Sequence, residues 1–255
     1  MVTLTIDGRE IQAEEGKTVL EAARENSIDI PALCHHEEVS SYGACRLCMV
    51  EITTRRGRKR LVTSCLYPVE EGLTVKTDTE RVRNVRRMMI ELLLARCPDS
   101  EVIQDWARKL GVSGERLRAE EGNRKCILCA LCNRVCQEVV GVSAISLANR
   151  GVERRMTTPF NDFSEACIGC GSCAYVCPTG AITVEDVGDT RTVSMPHVTM
   201  EFKLKKCAKC GKYWAPERQI AFAQKQLDLA PEIFDKCPDC RRKTLPLPIA
   251  SALST

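Results

Sequence analysis

The amino-acid sequence predicts an α+β fold that is divided into several small domains. The N-terminal segment MVTLTIDGREI alternates apolar and polar residues as a β-strand does, and ERVRNVRRMMIELLLAR repeats apolar residues at helical spacing. Hydrophobic residues make up 44% of the 255 positions but aromatic residues only 4%, which favours several modest cores over one large core. Because small domains usually need a covalent or metal staple, the 17 cysteines become the main question.

The composition also argues against several classes of protein. No secretory signal pattern precedes the first strand, so we expect a reducing cytoplasmic location, where cysteines serve as thiols or metal ligands rather than disulfides. The longest strongly apolar stretch, residues 88–95, contains Glu91 and is too short to span a bilayer. A formal net charge of +3 is too balanced to indicate nucleic-acid binding.

Residues 1–78 are expected to form a β-grasp domain. Two strands joined by a turn at Asp7 and Gly8 precede a helix, for which Thr18 and Glu21 have the spacing of a capping box. This helix is expected to end near Asn26. The cysteine loops and the remaining strands should follow it.

The first cysteine group lies in this domain and has the spacing C-x10-C-x2-C-x16-C. Four thiolates in such a topology fit a [2Fe–2S] cluster, whose expected ligands are Cys34, Cys45, Cys48 and Cys65. The segment CHHEEVSSYGACRLCMVEI resembles the N-terminal [2Fe–2S] domain of the large iron–sulfur subunit of respiratory complex I. It is also similar to the diaphorase subunits of NAD-linked hydrogenases.

The two middle cysteine groups repeat the spacing C-x2-C-x2-C-x3-C, and Pro178 directly follows the second group. In this motif the fourth cysteine of each run binds the cluster of the other run. One [4Fe–4S] cluster is therefore expected on Cys126, Cys129, Cys132 and Cys177. The other is expected on Cys136, Cys167, Cys170 and Cys173. The repeat resembles bacterial two-cluster ferredoxins, which indicates a domain at residues 123–190.

Residues 79–122, between these two domains, are expected to form a helical linker. Its first helix should present one apolar face made by Val82, Val85, Met88, Met89, Leu92 and Leu93. In the complex I and hydrogenase families a histidine and three cysteines follow this helix, whereas this sequence has only Cys97. The resemblance implies that this further cluster is missing. We expect a short helix between Ser100 and Gly111 in its place, with Cys97 as a buried structural thiol.

The C-terminal cysteine group has the spacing C-x2-C-x26-C-x2-C. Two separated knuckles indicate a zinc-ribbon-like domain at residues 195–245, followed by a tail at 246–255. The expected zinc ligands are Cys207, Cys210, Cys237 and Cys240. A third [4Fe–4S] cluster is the alternative, because soft thiolates accept either metal group. The segment QIAFAQKQLDLAPEIF between the knuckles should form a helix and a turn.

The motifs predict electron transfer rather than a catalytic site. The sequence contains no nucleotide-binding or flavin-binding motif and no evident acid–base pair. The resemblance implies an electron-transfer subunit of a cytoplasmic NAD-linked complex of the hydrogenase or formate dehydrogenase type. Its implied partners are a flavin- and NAD-binding subunit and a second redox catalytic subunit, with a soluble ferredoxin as a further candidate. A free-standing multi-cluster ferredoxin is the main alternative, and an iron–sulfur regulator that binds nucleic acid is a third.

Overall fold

The computed structural model describes most of the chain, namely residues 1–114, 116–117, 125–228 and 230–243. The predicted tail at 246–255 and the end of the predicted linker, residues 118–122, lie outside the described residues. Among the described residues, no helix combines the length and the apolar character that crossing a membrane requires.

A five-stranded mixed sheet forms the N-terminal part of the protein. Its strands are β1 (Val2–Ile6), β2 (Arg9–Ala13), β3 (Met49–Thr53), β4 (Lys59–Thr63) and β5 (Thr74–Lys76). They lie in the order β2-β1-β5-β3-β4, and β1 and β5 form the parallel pair. Helix α1 (Val19–Glu25) buries Val19 and Leu20 in one core with residues of the sheet. This helix-on-sheet arrangement agrees with the predicted β-grasp domain, and it positions the α1–β3 loop that carries three of the first four cysteines.

The first turn of α1 contains the predicted capping box. The Thr18 side chain accepts a hydrogen bond from the backbone N–H of Glu21 at 3.3 Å. In return, the Glu21 carboxylate accepts the backbone N–H of Thr18 at 2.7 Å. The helix ends at Asn26, as the sequence indicates. Because the cap satisfies N–H groups that have no partner within the helix, it contributes about 1 kcal/mol.

Two helices follow the sheet, α2 (Glu80–Arg96) and α3 (Glu101–Leu110). They pack against each other, and α3 lies between Ser100 and Gly111 as predicted. Gly111 has a left-handed backbone with φ of 66°, which favours glycine at a helix C-terminus.

The apolar face predicted for α2 is wrong for two of its residues. Met88 and Leu92 are 51% and 48% exposed, whereas Arg86 is buried. The Arg86 guanidinium donates to the carbonyl oxygens of Leu47 and Met49, each at 3.0 Å. These bonds turn the Arg86 face of the helix inward, because the carbonyl groups of Leu47 and of Met49, the first residue of β3, need a donor.

The next part of the chain consists of two short helices and a hairpin. Helix α4 (Leu131–Arg134) continues directly into a π-helical turn (Val135–Val139), and α5 (Ser172–Tyr175) packs against α4. Strands β6 (Ser146–Ala148) and β7 (Arg155–Thr157) pair as a hairpin in the connection between the two middle cysteine groups. Both α4 and α5 begin one residue before the third cysteine of their run.

A four-stranded antiparallel sheet completes the described fold. Its strands are β8 (Thr183–Val187), β9 (Thr190–Met195), β10 (Val198–Lys206) and β11 (Tyr213–Pro216), in the order β11-β10-β9-β8. Strand β9 runs through residues 191–194, the interval between two predicted domains. Strand β10 continues from the buried side chains of Met200 and Phe202 to the first knuckle cysteine, Cys207. The C-terminal knuckles thus extend the sheet of the preceding domain.

The segment between the two C-terminal knuckles forms a helix and a turn, as predicted. The helix is α6 (Glu217–Leu227), and a 3₁₀ turn (Pro231–Asp235) follows it. Helix α6 packs on β10 and β11, and Ile220 forms a small core with Ala215 and Phe234. The short helix α7 (Pro238–Arg242) then carries the last cysteine.

Candidate metal centres

The first cysteine group lies at one end of the N-terminal sheet. Cys34, Cys45 and Cys48 belong to the α1–β3 loop, and Cys65 follows β4; each is at most 3% exposed. The Sγ atoms of Cys48 and Cys65 are 3.3 Å apart. The backbone N–H of Cys45 donates to the Cys34 Sγ at 3.4 Å. The fold therefore brings together the four residues that the sequence predicts for a [2Fe–2S] cluster.

The electrostatics of this group favour the thiolate form of two of its cysteines. A hydrogen bond from the Cys45 thiol lowers the pKa of Cys34 to about 6, and the backbone N–H of Cys45 and the charge of Arg134 act in the same direction. A hydrogen bond from the Cys65 thiol lowers the pKa of Cys48 to about 6. Because the thiolate is the form that binds a metal, these bonds prepare the group for ligation.

Two cavities lie in the next part of the fold. The residues lining one cavity include Cys136, Cys167, Cys170 and Cys173. Those lining the other include Cys126, Cys129, Cys132 and Cys177. In each cavity the fourth cysteine comes from the other run, which agrees with the crossed pairing expected from the spacing. Four thiols around such a space are a donor set that fits an iron–sulfur cluster.

The fourth cysteine of each run, which lines the cavity of the other run, accepts a hydrogen bond from a backbone N–H group. The N–H of Ala144 donates to the Cys136 Sγ at 3.3 Å, and the N–H of Ala181 donates to the Cys177 Sγ at 3.3 Å. Hydrogen bonds to the sulfurs of a metal site stabilise negative charge there and tune its reduction potential. The two runs are therefore equivalent in this respect.

Burial strongly affects the pKa of three other thiols in the two cavities. Burial raises the pKa of Cys129 and of Cys173 to about 12, and raises that of Cys132 well above its usual value. These thiols stay protonated at neutral pH until a metal displaces the proton. Ligation in both cavities is therefore coupled to proton release.

The two cysteine runs have matching backbone conformations. Leu128 and Ala130 have φ values of 51° and 58°, and the equivalent Gly169 and Gly171 have 69° and 82°. This left-handed conformation is unfavourable for leucine and alanine by roughly 1–2 kcal/mol. The first run adopts it without glycine, so the loop shape is imposed by its surroundings rather than by residue preference.

Gly169 is constrained by a neighbouring strand as well as by its backbone angle. A Cβ at this position would lie 2.6 Å from Cγ of Phe202 on β10. We expect Gly169→Ala to lower the free energy of unfolding by about 2–4 kcal/mol, since it adds overpacking to left-handed strain. Gly180→Ala is the matched control, because Gly180 has φ of 61° but no atom within 4 Å of its Cβ position. Denaturant unfolding that gives equal losses for the two variants would contradict the role of Phe202.

The C-terminal cysteine group is the most compact of the four. The Sγ atoms of Cys207, Cys210, Cys237 and Cys240 all lie within 4.8 Å of one another. The backbone N–H of Cys237 donates to the Cys207 Sγ at 3.2 Å, and this bond lowers the pKa of Cys207 to about 6. Four thiols at these separations can hold a single metal ion.

The first cysteine group packs against one of the two cavities. Cys34, Cys45 and Leu47 of the α1–β3 loop share a buried core with Cys129 and Leu131. The loops that carry these two cysteine sites are therefore in direct contact.

Cys97 belongs to the same core but lines neither cavity. It is fully buried, and its Sγ donates to the carbonyl oxygen of Leu93 at 2.8 Å. Helix α3 packs beside it through Ile103 and Ala107. This environment agrees with the predicted structural role of Cys97 and with the predicted short helix between Ser100 and Gly111.

The sequence did not predict a role for three residues at the contact between the two cysteine sites. They are Ser40 in the α1–β3 loop, Arg134 at the end of α4, and Glu138 in the π-helical turn. One weak hint exists: Arg134 and Glu138 are four residues apart, a spacing that places them on the same side of a helix. Their partners lie about a hundred residues earlier, so only the fold shows the contact.

Two domain families match the chain. Residues 1–80 match a 2Fe-2S iron-sulfur cluster binding domain. Residues 125–181 match a 4Fe-4S dicluster domain, and residues 166–212 match it a second time. These matches confirm the predicted [2Fe–2S] domain and the predicted two-cluster domain within an α+β protein.

The chain is similar to subunits of several redox enzymes. It is 35% identical over 209 residues to the NADPH-Fe(3+) oxidoreductase subunit alpha of Geobacter sulfurreducens (strain DL-1 / KN400). It is 34% identical over 212 residues to the NADP-reducing hydrogenase subunit HndD of Solidesulfovibrio fructosivorans. It is 29% identical over 209 residues to the mitochondrial NADH-ubiquinone oxidoreductase 78 kDa subunit of Candida albicans (strain SC5314 / ATCC MYA-2876). Each match covers 71% of this chain, but the chain spans only 24%, 36% and 28% of these proteins, respectively.

A solved structure shows the same relationship in three dimensions. A chain in the crystal structure of NAD⁺-reducing [NiFe]-hydrogenase in the H₂-reduced state superposes with a TM-score of 0.54 and 31% identity. The match covers 62% of this chain and 74% of that chain. Together with the cysteine geometry, it shows that the chain belongs to the family of electron-transfer iron–sulfur subunits found in NAD(P)-linked hydrogenases and complex I.

Proposed function

We propose that the chain relays single electrons between a flavin- and NAD(P)-binding partner subunit and a second redox catalytic subunit of the hydrogenase or formate dehydrogenase type. The observation that carries this proposal is the direct contact of the Cys34–Cys45 loop with the cavity lined by Cys129. The names of the hydrogenase relatives and of the solved hydrogenase support the choice of partners. A reducing cytoplasm is the proposed location, because the thiols must stay reduced to bind metal.

Three cysteine groups would hold the iron–sulfur clusters. The proposed [2Fe–2S] ligands are Cys34, Cys45, Cys48 and Cys65, and the proposed [4Fe–4S] ligand sets are Cys126, Cys129, Cys132 and Cys177, and Cys136, Cys167, Cys170 and Cys173. When bound, such clusters supply one-electron redox chemistry. The protein's part is to exclude water from the buried thiols and to direct N–H groups at Cys136 and Cys177.

Two helical segments connect the two cavities. Cys132 and Cys136 are four residues apart along α4 and the π-helical turn, yet they line different cavities. Cys173 and Cys177 have the same relationship in and just after α5. Because one helical turn separates the members of each pair, both [4Fe–4S] sites lie within one small unit.

The C-terminal cysteine group fits zinc better than a third cluster. A tetrahedral zinc with bonds of about 2.3 Å has thiolate sulfurs about 3.8 Å apart. The Sγ atoms of Cys210 and Cys237 are 3.8 Å apart. A cluster with four irons would place each thiolate on a different iron and therefore needs a wider arrangement. We propose that Cys207, Cys210, Cys237 and Cys240 bind zinc, which stabilises the end of β10 and the helices that follow.

Purification of the complex through a tag on this chain tests the proposed function. We expect a flavoprotein to co-purify, and anaerobic addition of NAD(P)H to bleach the visible iron–sulfur absorption of the complex. Cys48→Ser should abolish NAD(P)-linked turnover, while the flavin subunit alone still reduces an artificial dye. A chain that elutes alone at its own mass of 28.4 kDa and exchanges electrons as a free carrier would contradict the subunit role.

A further inference from the structure

One buried arginine connects the site of Cys34 with the site of Cys129. Arg134, at the end of α4, is 6% exposed. Its Nη2 donates to the carbonyl oxygen of Cys34 at 2.9 Å and to that of Cys129 at 3.2 Å. These two cysteines are proposed ligands of different clusters. A single guanidinium nitrogen therefore spans the peptide groups of two redox sites.

The same side chain and its neighbour along the helix hold the α1–β3 loop at a second point. Nη1 of Arg134 donates to the carbonyl oxygen of Ser40, and the guanidinium lies 5.6 Å from the ring centre of Tyr42. Glu138 accepts hydrogen bonds from the backbone N–H and from Oγ of Ser40, both at 2.7 Å. We name Arg134 and Glu138, together with these contacts, the Arg134–Glu138 clamp. It fixes the loop that carries Cys34 against the helix that carries Cys132 and Cys136.

The direct hydrogen bonds of Arg134 go to neutral groups, the carbonyl oxygens of Cys34, Cys129 and Ser40. Its charge also acts on Cys34 and on the carboxylate of Glu138, which faces solvent. A buried charge is costly unless an opposite charge lies nearby. A four-thiolate site with an oxidised cluster carries about −2. Two such sites, one beside each carbonyl oxygen that Nη2 contacts, would supply further negative charge next to the guanidinium.

We propose that Arg134 is the positioning residue for electron transfer between the [2Fe–2S] site and the [4Fe–4S] site of Cys129. Its fork holds the two ligand-bearing loops at a fixed separation, and its positive charge favours the reduced form of both centres. This inference rests on the ligand sets of the proposed function. Glu138 serves the position of the loop but not the potentials, because its exposed charge is screened by water.

A redox titration of the purified full-length chain, monitored by electron paramagnetic resonance, tests this inference without any partner subunit. Arg134→Gln should lower the midpoint potentials of both centres, since a reduced centre then loses a nearby positive charge. Glu138→Gln should weaken the contact with the α1–β3 loop, seen as a lower thermal unfolding temperature, and leave both midpoint potentials unchanged. Arg87→Gln is the matched control, because Arg87 also donates to a backbone carbonyl oxygen, that of Leu110, on an exposed surface.

Arg134→Lys separates position from charge. Lysine keeps the positive charge but lacks the planar fork, so we expect near wild-type potentials and a weaker magnetic interaction between the two reduced centres. Wild-type potentials in Arg134→Gln would overturn the electrostatic role. If Arg134→Gln fails to assemble a cluster, an undiminished magnetic interaction in Arg134→Lys overturns the positioning role. If the wild-type protein shows the paramagnetic resonance signal of neither centre, that result contradicts the proposed function and, with it, this inference.

Discussion

Replacing Cys129 by serine is expected to remove one [4Fe–4S] cluster and to lower NAD(P)-linked turnover of the complex by about 100-fold or more. A serine hydroxyl is a poor substitute for a soft thiolate at iron. Cys129 also shares a core with the Cys34 loop, so loss of its cluster would interrupt the proposed electron path between the two sites. Iron content and coupled turnover of the purified complex measure the two effects.

Cys97→Ser is the matched control for this experiment. Cys97 is buried in the same core, and a serine there can still donate to the carbonyl oxygen of Leu93. We expect this variant to keep its full iron content and its turnover. A Cys129→Ser protein that retains both the iron and the coupled activity would show that the cavity lined by Cys129 is not part of the electron path.

Removal of the metal from the C-terminal cysteine group is expected to unfold residues 207–243. This part of the chain has a small core of its own, made by Ala215, Ile220 and Phe234. Structural zinc contributes roughly 10–16 kcal/mol of folding free energy in small domains, far more than such a core can replace. After treatment with a zinc chelator, or in Cys240→Ser, limited proteolysis should cut within this segment.

The first half of β10 should survive this treatment. Met200 and Phe202 belong to the core of the preceding sheet, where β10 pairs with β9, so the protein up to Lys203 should stay resistant to protease. Lys225→Ala, on an exposed position of α6, is the control that should keep its metal and its resistance. If chelated protein resists protease along its whole length, the metal has no structural role.

Features with a local signal were predictable from the sequence. The capping box of Thr18 and Glu21 lies within four residues, and the structure contains it as expected. The cysteine spacing within each run is equally local, and the crossed rule needs only the repeat of that spacing. In the structure each cavity is lined by three cysteines of one run and the fourth cysteine of the other.

Features that depend on distant partners were not predictable. The periodicity of α2 suggested that Met88 and Leu92 are buried, but Arg86 takes an inward position because the loop at Leu47 needs a hydrogen-bond donor. Arg134 meets Cys34, which lies 100 residues earlier in the chain. Strand β9 crosses the interval between two predicted domains, and its pairing with β8 and β10 is visible only in the folded sheet.

The backbone conformation of the first middle cysteine run is a further feature that the sequence did not predict. Gly169 and Gly171 indicate a left-handed loop, but Leu128 and Ala130 adopt the same conformation without any glycine signal. Residue preference predicts the opposite for these two positions. This preference is outweighed by the packing of α4 against α5 and by the placement of four thiols around one cavity.

The metal content of the purified chain tests the central claim most directly. One [2Fe–2S] cluster, two [4Fe–4S] clusters and one zinc predict about 10 iron, about 10 acid-labile sulfide and about 1 zinc per chain. About 14 iron without zinc would contradict the zinc assignment and make the C-terminal group a third [4Fe–4S] site. About 6 iron or fewer would contradict the crossed ligand sets and, with them, the proposed relay of three clusters.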